Sequence, residues 1–342
     1  MFVTFTAIFA AIVAVLLIVL FVAGVSAVFG ISFRKVFMKG LWVLLMPPLL
    51  LLYGMLIERN AYEINEVEIA GGNVPESFDG YRIVQISDMH LASFKNRHRS
   101  LARAVEMING LDPDLILFTG DLVTYLPDEL DGFEPLLSSL KAGDGVYSVL
   151  GNHDYCIYNR WESDSLRAAA VRELVARETA LGWKVLMNEN VNIGRSAVDT
   201  ISLAGVENIS STSYFPSYGD LDKAMSGASG SFKILLTHDP THWHKALEDY
   251  PDIDLTLSGH THAMQFSVFG WSPGSLMFDE YRGLYGKDGD SVLRFRHGRV
   301  PEDRSDEDLP LLYVNIGLGE TAIPARVGTR PEITLFTLSH KK

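Results

Sequence analysis

Five short polar blocks carry the residues most capable of chemistry: Asp88-Met89-His90, Gly120-Asp121, Gly151-Asn152-His153-Asp154, Thr237-His238 and Gly259-His260-Thr261-His262. They hold five of the 10 histidines. Imidazoles, carboxylates and one amide oxygen, without thiolates, suit Mn2+, Fe, Zn2+ or Co2+ rather than a structural zinc finger. Asp-x-His and Gly-Asp alone are commonplace turns. Gly151-Asn152 allows a sharp turn with positive φ directly after a strand. His260 and His262, two apart, would share one face of an extended segment, as paired metal ligands require. The order of all five blocks, each after an apolar run, is what marks them as one site.

Those apolar runs are the elements that must position the blocks. Residues 82–87, 115–119, 145–150, 233–236 and 254–257 read as buried strands, each ending at a block. Further strands are expected at 184–186, 191–194, 201–205, 311–315 and 332–338, and helices at 91–109 and 164–181. Strands alternating with helices imply α/β layering, and the ligand-bearing edge of such sheets is the carboxyl end of the strands. The acidic run at 302–308, between Pro301 and Pro310, reads as a solvated loop.

Composition narrows the function. The chain has 342 residues and a net charge of −13. Its first 57 residues hold only Arg34, Lys35 and Lys39 as charged groups, so residues 58–342 carry −13 − 3 = −16. A body this acidic argues against nucleic-acid binding. The single cysteine, Cys156, excludes an internal disulfide framework and any cysteine-rich zinc module, and reads as a small buried side chain.

Residues 1–33 are uncharged, and 8–29 are long enough to span a hydrocarbon layer, which takes roughly 20 residues. A second uncharged run, 40–57, contains Pro47 and Pro48, which predict a kink or break. The absence of a basic stretch before the first run argues against a cleaved signal. Residues 1–57 are thus expected to be a two-span anchor and 58–342 a single catalytic domain. Arg34, Lys35 and Lys39 lie between the spans, which places that loop in the cytoplasm and the domain on the extracytoplasmic side.

The blocks, in this order, resemble the D-x-H, G-D, G-N-H-[DE], H and G-H-x-H motifs of the calcineurin-like metallophosphoesterases. Gly317-Leu318-Gly319, Pro324, Arg326 and Arg330-Pro331-Glu332 extend the likeness toward a bacterial membrane-associated branch, implying a bacterial cell-membrane location. That branch usually has two glycines after the last histidine; here Ala263-Met264 stand there, narrowing the wall beside His262. The resemblance implies a four-layer sandwich of two mixed β-sheets flanked by helices. It also implies two divalent ions, one held by Asp88, His90, Asp121 and His262 and the other by Asp121, Asn152, His238 and His260. Asp121 would bridge them.

In this reading the ions lower the pKa of a shared water toward neutrality and clamp phosphate oxygens. His153 is the candidate to protonate the leaving group or to hydrogen-bond a phosphoryl oxygen, and Asp154 either orients His153 or supports a ligand from behind. The expected substrate is a phosphate ester or anhydride, on a small molecule or an envelope lipid. The alternatives are a UDP-diacylglucosamine-type pyrophosphatase, whose cytosolic substrate conflicts with the expected topology, and a non-catalytic metal-dependent binding module, which the complete ligand set disfavours. Arg326 and Arg330 could reach phosphate but read better as structural pairs. Asn208 could edge the pocket, and His242 and His244 read as exposed helix residues. Trp161, Tyr158, Tyr214, Phe215 and Trp243 are candidates for an apolar wall near the site, with core packing their default.

Overall fold

The computed structural model describes residues 2–196, 199–210, 212, 214–289, 291–295 and 310–341. The acidic run at 302–308 lies outside the described residues.

Three helices come first: the apolar α1 (Phe2–Val28), the basic α2 (Phe33–Gly40) and the apolar α3 (Met46–Leu56). Two segments, Ile8–Val28 and Phe33–Asn60, are long and apolar enough to cross a membrane. The expected break is present. The chain tightens into a 3-10 turn over Leu41–Leu45, and both prolines then fall in the first turn of α3, where a missing N–H leaves no bond unmade. Large apolar side chains along both segments, including Phe21, Trp42 and Leu49, are exposed.

The remaining elements are β1 (Glu63–Gly71), β2 (Arg82–Ile86), α4 (His98–Gly110), β3 (Leu115–Phe118), α5 (Glu134–Leu137), β4 (Val146–Ser148), α6 (Asp164–Ala180), β5 (Lys184–Val185), β6 (Glu189–Gly194), β7 (Thr200–Gly205), α7 (Leu221–Met225), β8 (Phe232–Leu236), α8 (His242–Asp249), β9 (Leu255–Ser258), β10 (Gly283–Asp288), β11 (Ser291–Phe295), β12 (Leu311–Val314) and β13 (Glu332–His340). They form two mixed sheets, ordered β1-β13-β2-β3-β4-β5 and β11-β10-β12-β9-β8-β7-β6. Strands β2, β3, β4 and β5 run parallel, as do β7, β8, β9 and β12.

Period-2 alternation sorts each strand between two cores. Ile83, Leu115 and Leu117 of the first sheet meet Leu203, Ile234, Leu236, Leu255 and Leu257 of the second. On the outer face of the first sheet, Val84, Ile86, Ile116 and Phe118 pack under Leu101, Val105 and Ile108 of α4 and Leu174 of α6. On the outer face of the second, Ala204, Leu235 and Leu312 pack under α7 and α8, with Trp243 fully buried. The result is the four-layer sandwich. Burial of each large side chain contributes about 1.5–3 kcal/mol.

Three strands have no counterpart in the sequence reading: β1, β10 and β11. β1 pairs only with β13, at a sheet edge, so its polar side chains remain solvated and it lacks an unbroken apolar run. β10 and β11 form the hairpin at the opposite edge of the second sheet. The helix expected over 91–109 starts later, at His98. Residues Leu91–Phe94 make a separate 3-10 turn, held by the Ala92 N–H donating to Glu129 Oε2 at 2.9 Å.

Candidate metal centre

All five polar blocks sit just past strand carboxyl ends. Asp88 follows β2, Asp121 follows β3 and Asn152 follows β4, three adjacent parallel strands of the first sheet. His238 follows β8, and His260 and His262 follow β9, adjacent parallel strands of the second. The site therefore straddles the mouth between the sheets. Hydrogen bonds stitch that mouth together. Gln85 Nε2 donates to the Ser258 carbonyl at 2.9 Å, and the His260 N–H donates to the Asp88 carboxylate at 3.0 Å.

Asp88, His90, Asp121, His260 and His262 all have left-handed backbones, with φ of 46°, 44°, 61°, 74° and 50°. Such conformations cost on the order of 1–3 kcal/mol each for non-glycine residues and persist only where the surroundings enforce them. Two sequence expectations need correction here. His260 and His262 do not share one face of an extended segment; the chain coils after β9, and the two rings aim at different neighbours. Gly151 does not supply a positive φ. It is required for close approach, because a Cβ there would lie 2.2 Å from Asp121 Oδ1.

The donor atoms converge in two groups around Asp121. His262 Nε2 is 3.2 Å from Asp88 Oδ1 and 3.1 Å from His90 Nε2, which is 3.6 Å from Asp121 Oδ2. On the other side, His238 Nε2 is 3.3 Å from the same Asp121 oxygen and 3.2 Å from His260 Nδ1. Ligands about 2.1 Å from one ion at near-tetrahedral or octahedral angles lie about 3–3.4 Å apart, so most of these spacings match a shared cation. One atom each of Asp88, His90 and His262 lies within 4.8 Å of the others, as holds for Asp121, His238 and His260, and for His90, Asp121 and His153. Among the described residues, Asn152 Oδ1 is buried without a hydrogen-bond partner, a further acceptor left for a ligand.

Electrostatics favour the same reading. Burial opposes ionisation of Asp121, but His238, His153 and His90 around it outweigh burial and hold its carboxyl well below the usual carboxylate range. Burial and the neighbouring His153 push His90 down to about 3, and burial and His238 push His260 down to about 4. Both are therefore neutral imidazoles, the form that ligates metal. For His238 burial acts downward, yet the Asp121 carboxylate raises it to about 10. Its Nδ1 sits 2.7 Å from the Thr119 carbonyl, so Nδ1 keeps its proton and Nε2 is the nitrogen that would lose one to solvent and offer its lone pair to a cation. Burial lifts Asp88 to about 7, against the pull of His238.

His153 Nδ1 is 2.8 Å from the Thr124 carbonyl, which fixes that nitrogen as the donor and leaves Nε2 for chemistry. Tyr158 stacks on the His153 ring at 4.2 Å between centroids. Asp154 does not touch that ring. Its carboxylate is fully buried and accepts only from backbone N–H groups, those of Asp121, Gly151 and Val123.

The surroundings hold Arg326, which the sequence reads as a structural pair, and Phe278, which the sequence leaves unassigned. Arg326 is fully buried, donates to the Ile316, Gly319 and Thr329 carbonyls, and places Nη2 3.3 Å from His262 Nδ1. A guanidinium only donates, so the lone pair of His262 faces it and the ring proton points toward Asp88. Ligation through Nε2 would require that proton to leave or the ring to turn. Phe278 meets His260 edge-on at 5.6 Å, opposite Phe215 at 5.5 Å. Of the expected aromatic wall, Tyr158, Phe215 and Tyr214 gather here. Trp243 belongs to the core under α8, and Trp161 bonds the Cys156 carbonyl. His242 is buried rather than exposed, and His244 pairs with Glu280 at 3.1 Å.

A family model described as calcineurin-like phosphoesterase matches residues 81–264. The chain belongs to that family. It is 31% identical over 321 residues to a zebrafish transmembrane protein with metallophosphoesterase domain, covering 92% of this chain and 64% of that protein. It is likewise 31% identical over 291 residues to the metallophosphoesterase YkuE of Bacillus subtilis, covering 84% of this chain and 88% of that protein. It is 28% identical to the UDP-2,3-diacylglucosamine pyrophosphatase LpxG of Chlamydia trachomatis, over 72% of this chain and 81% of that protein. With vertebrate and bacterial proteins both among its relatives, the likeness is to the family as a whole rather than to a bacterial branch.

Proposed function

We propose that the chain is a membrane-anchored, two-metal phosphoesterase that hydrolyses a phosphate ester or anhydride carried by a lipid or other envelope molecule. The observation that carries this is Asp121. One buried, ionised carboxylate stands between two histidine clusters at spacings that suit two cations. Asp88, His90, Asp121 and His262 would hold one ion, and Asp121, Asn152, His238 and His260 the other. The bound ions supply an activated water and positive charge for phosphate oxygens. In the hydrolysis a water oxygen bonds to phosphorus and the bond from phosphorus to the leaving oxygen breaks. Acting as the acid, His153 would give a proton from Nε2 to that oxygen, its Nδ1 N–H held by the Thr124 carbonyl. Asp154 shapes the loop from behind.

The two apolar segments and the transmembrane description of the zebrafish relative support an anchor. Arg34, Lys35 and Lys39, all in α2 at the start of the second segment, favour a cytoplasmic turn between the segments and an extracytoplasmic domain. The likeness to the Chlamydia pyrophosphatase favours a second reading, a lipid-linked phosphoanhydride substrate on the cytosolic side. The test is the full chain, stripped with chelator, reloaded with Mn2+ or Zn2+, and assayed on a monoester, a diester and a pyrophosphate. Metal-dependent turnover of one of them is expected. No turnover of any by the reloaded protein would overturn the reading, and a carboxyl-terminal reporter active only in the cytosol would overturn the orientation.

A further inference from the structure

Residues 264–278 carry no charged side chain, yet they lie on the surface of a strongly acidic domain. Their large apolar groups point outward. Phe269 is 105% exposed, Leu276 77%, Met277 66% and Trp271 51%. The tip is a tight two-residue hairpin. The Val268 N–H donates to the Trp271 carbonyl at 2.9 Å, and the Trp271 N–H donates back at 3.0 Å. Phe269 and Gly270 between them both have positive φ, 52° and 82°. Turns of this kind favour asparagine or glycine at both positions. A phenylalanine held in that conformation and fully exposed is unfavourable in water on both counts. Monomeric soluble surfaces rarely cluster apolar groups this way.

The loop's position identifies what covers it. Gly54, in the last turn of α3, packs so closely on the domain that a Cβ there would lie 2.6 Å from the Arg326 carbonyl and 2.9 Å from Val327 Cγ2. Val327 in turn bridges to Phe266, and its carbonyl accepts the Ser267 N–H at 2.7 Å. The root of the loop thus adjoins the point where the second apolar segment enters the domain.

We infer that the Phe266–Trp271 hairpin and the adjoining Leu276 and Met277 insert into the bilayer surface beside α3, as a second membrane contact. Tryptophan and phenylalanine are suited to that interface, and the lack of charge removes the main penalty. The loop leaves the site at Ala263, next to His262, and returns at Phe278, against His260. Its insertion sets the donor cluster at headgroup depth, where lipid-borne phosphate resides. The inference rests on the reading of α1 to α3 as a membrane anchor.

The test uses the full chain in phosphatidylcholine nanodiscs. Cys156 is fully buried, so a thiol-reactive fluorophore can be directed to Phe269→Cys, to Leu276→Cys as a second site in case the first fails to fold, and to Leu56→Cys in the anchor. Loop labels are expected to be quenched by nitroxide-bearing lipid as strongly as the Leu56→Cys label, and to be shielded from aqueous iodide. Loop labels quenched by iodide and not by nitroxide lipid, with the Leu56→Cys label in lipid, would overturn the insertion and leave the anchor standing. All labels in water would overturn the anchor and the insertion together.

Discussion

Asp154 holds Asp121 by its backbone: Oδ2 of Asp154 accepts the Asp121 N–H at 2.7 Å and the Gly151 N–H at 2.9 Å, while Oδ1 accepts the Val123 N–H at 3.1 Å. Three donors thereby lock the left-handed residue whose side chain stands between the two histidine clusters. Asp154→Asn replaces one acceptor oxygen with an amide that opposes a backbone N–H. The change is expected to weaken metal affinity roughly 10–100-fold, as loss of outer support for a ligand typically does. Calorimetric metal titration of the solubilised chain checks this. Unchanged affinity would show that the loop is rigid without the carboxylate.

Substitutions at Asp121 and His153 are expected to separate metal binding from proton transfer. Asp121→Ala removes the central carboxylate, and metal content and turnover are expected to vanish together. His153→Ala should retain both metals while turnover falls about 10²–10⁴-fold, the usual contribution of a positioned acid. Elemental analysis beside single-turnover assays distinguishes them. Equal metal loss in both variants would add His153 to the ligand set, a role its place near His90 and Asp121 also permits.

What the sequence reveals of this site, and what it hides, follows from locality. The strands β2, β3, β4, β8 and β9 are short apolar runs buried on both faces, and each ends at a polar block, so their pattern is read within a few residues. β1 is hidden because it alternates polar and apolar residues and gains its place only by pairing with β13, 269 residues downstream at Glu63 and Glu332. The contact of Arg326 with His262 is hidden for the same reason: it spans 64 residues and depends on carbonyls of the 316–329 loop. The backbone geometry at Gly151 and at the His-x-His pair is not legible in the sequence, because spacing in the chain does not report φ. Coiling after β9 is imposed by the tertiary fit around Asp88, not by local preference.

That coiling has a measurable cost. From His262 to Gln265 four successive residues have positive φ, and Ala263 and Met264 occupy, at 46° and 52°, places where glycine would be unstrained. Met264 is 45% exposed, so removing its side chain loses little packing. Met264→Gly is expected to stabilise the folded chain by about 1 kcal/mol, the left-handed penalty less part of glycine's greater entropy when unfolded. Thermal unfolding in detergent reads this out. A lower midpoint would mean that the methionine packs against something more valuable than the strain it carries.

Glu178 on α6 gives the fold a pH dependence that does not pass through the candidate metal ligands. Its carboxyl is fully buried against β4, with the Ser148 hydroxyl 2.6 Å from Oε2, and Oε1 has no hydrogen-bond partner among the described residues. Burial, with the Asp154 carboxylate adding to it, pushes it up to about 8. A raised folded pKa means that the folded state binds a proton the unfolded chain has already lost. The stabilisation is complete below the unfolded value, about 4.3, and is lost progressively as pH rises through about 8. Glu178→Gln keeps the shape and the acceptor for Ser148 but cannot ionise. It should match the native chain near pH 4 and exceed it at pH 8 by on the order of a few kcal/mol. Unfolding midpoints of both forms across that range decide the matter. Parallel curves would show that Glu178 ionises at its ordinary pH, so that water or a cation reaches it behind β4.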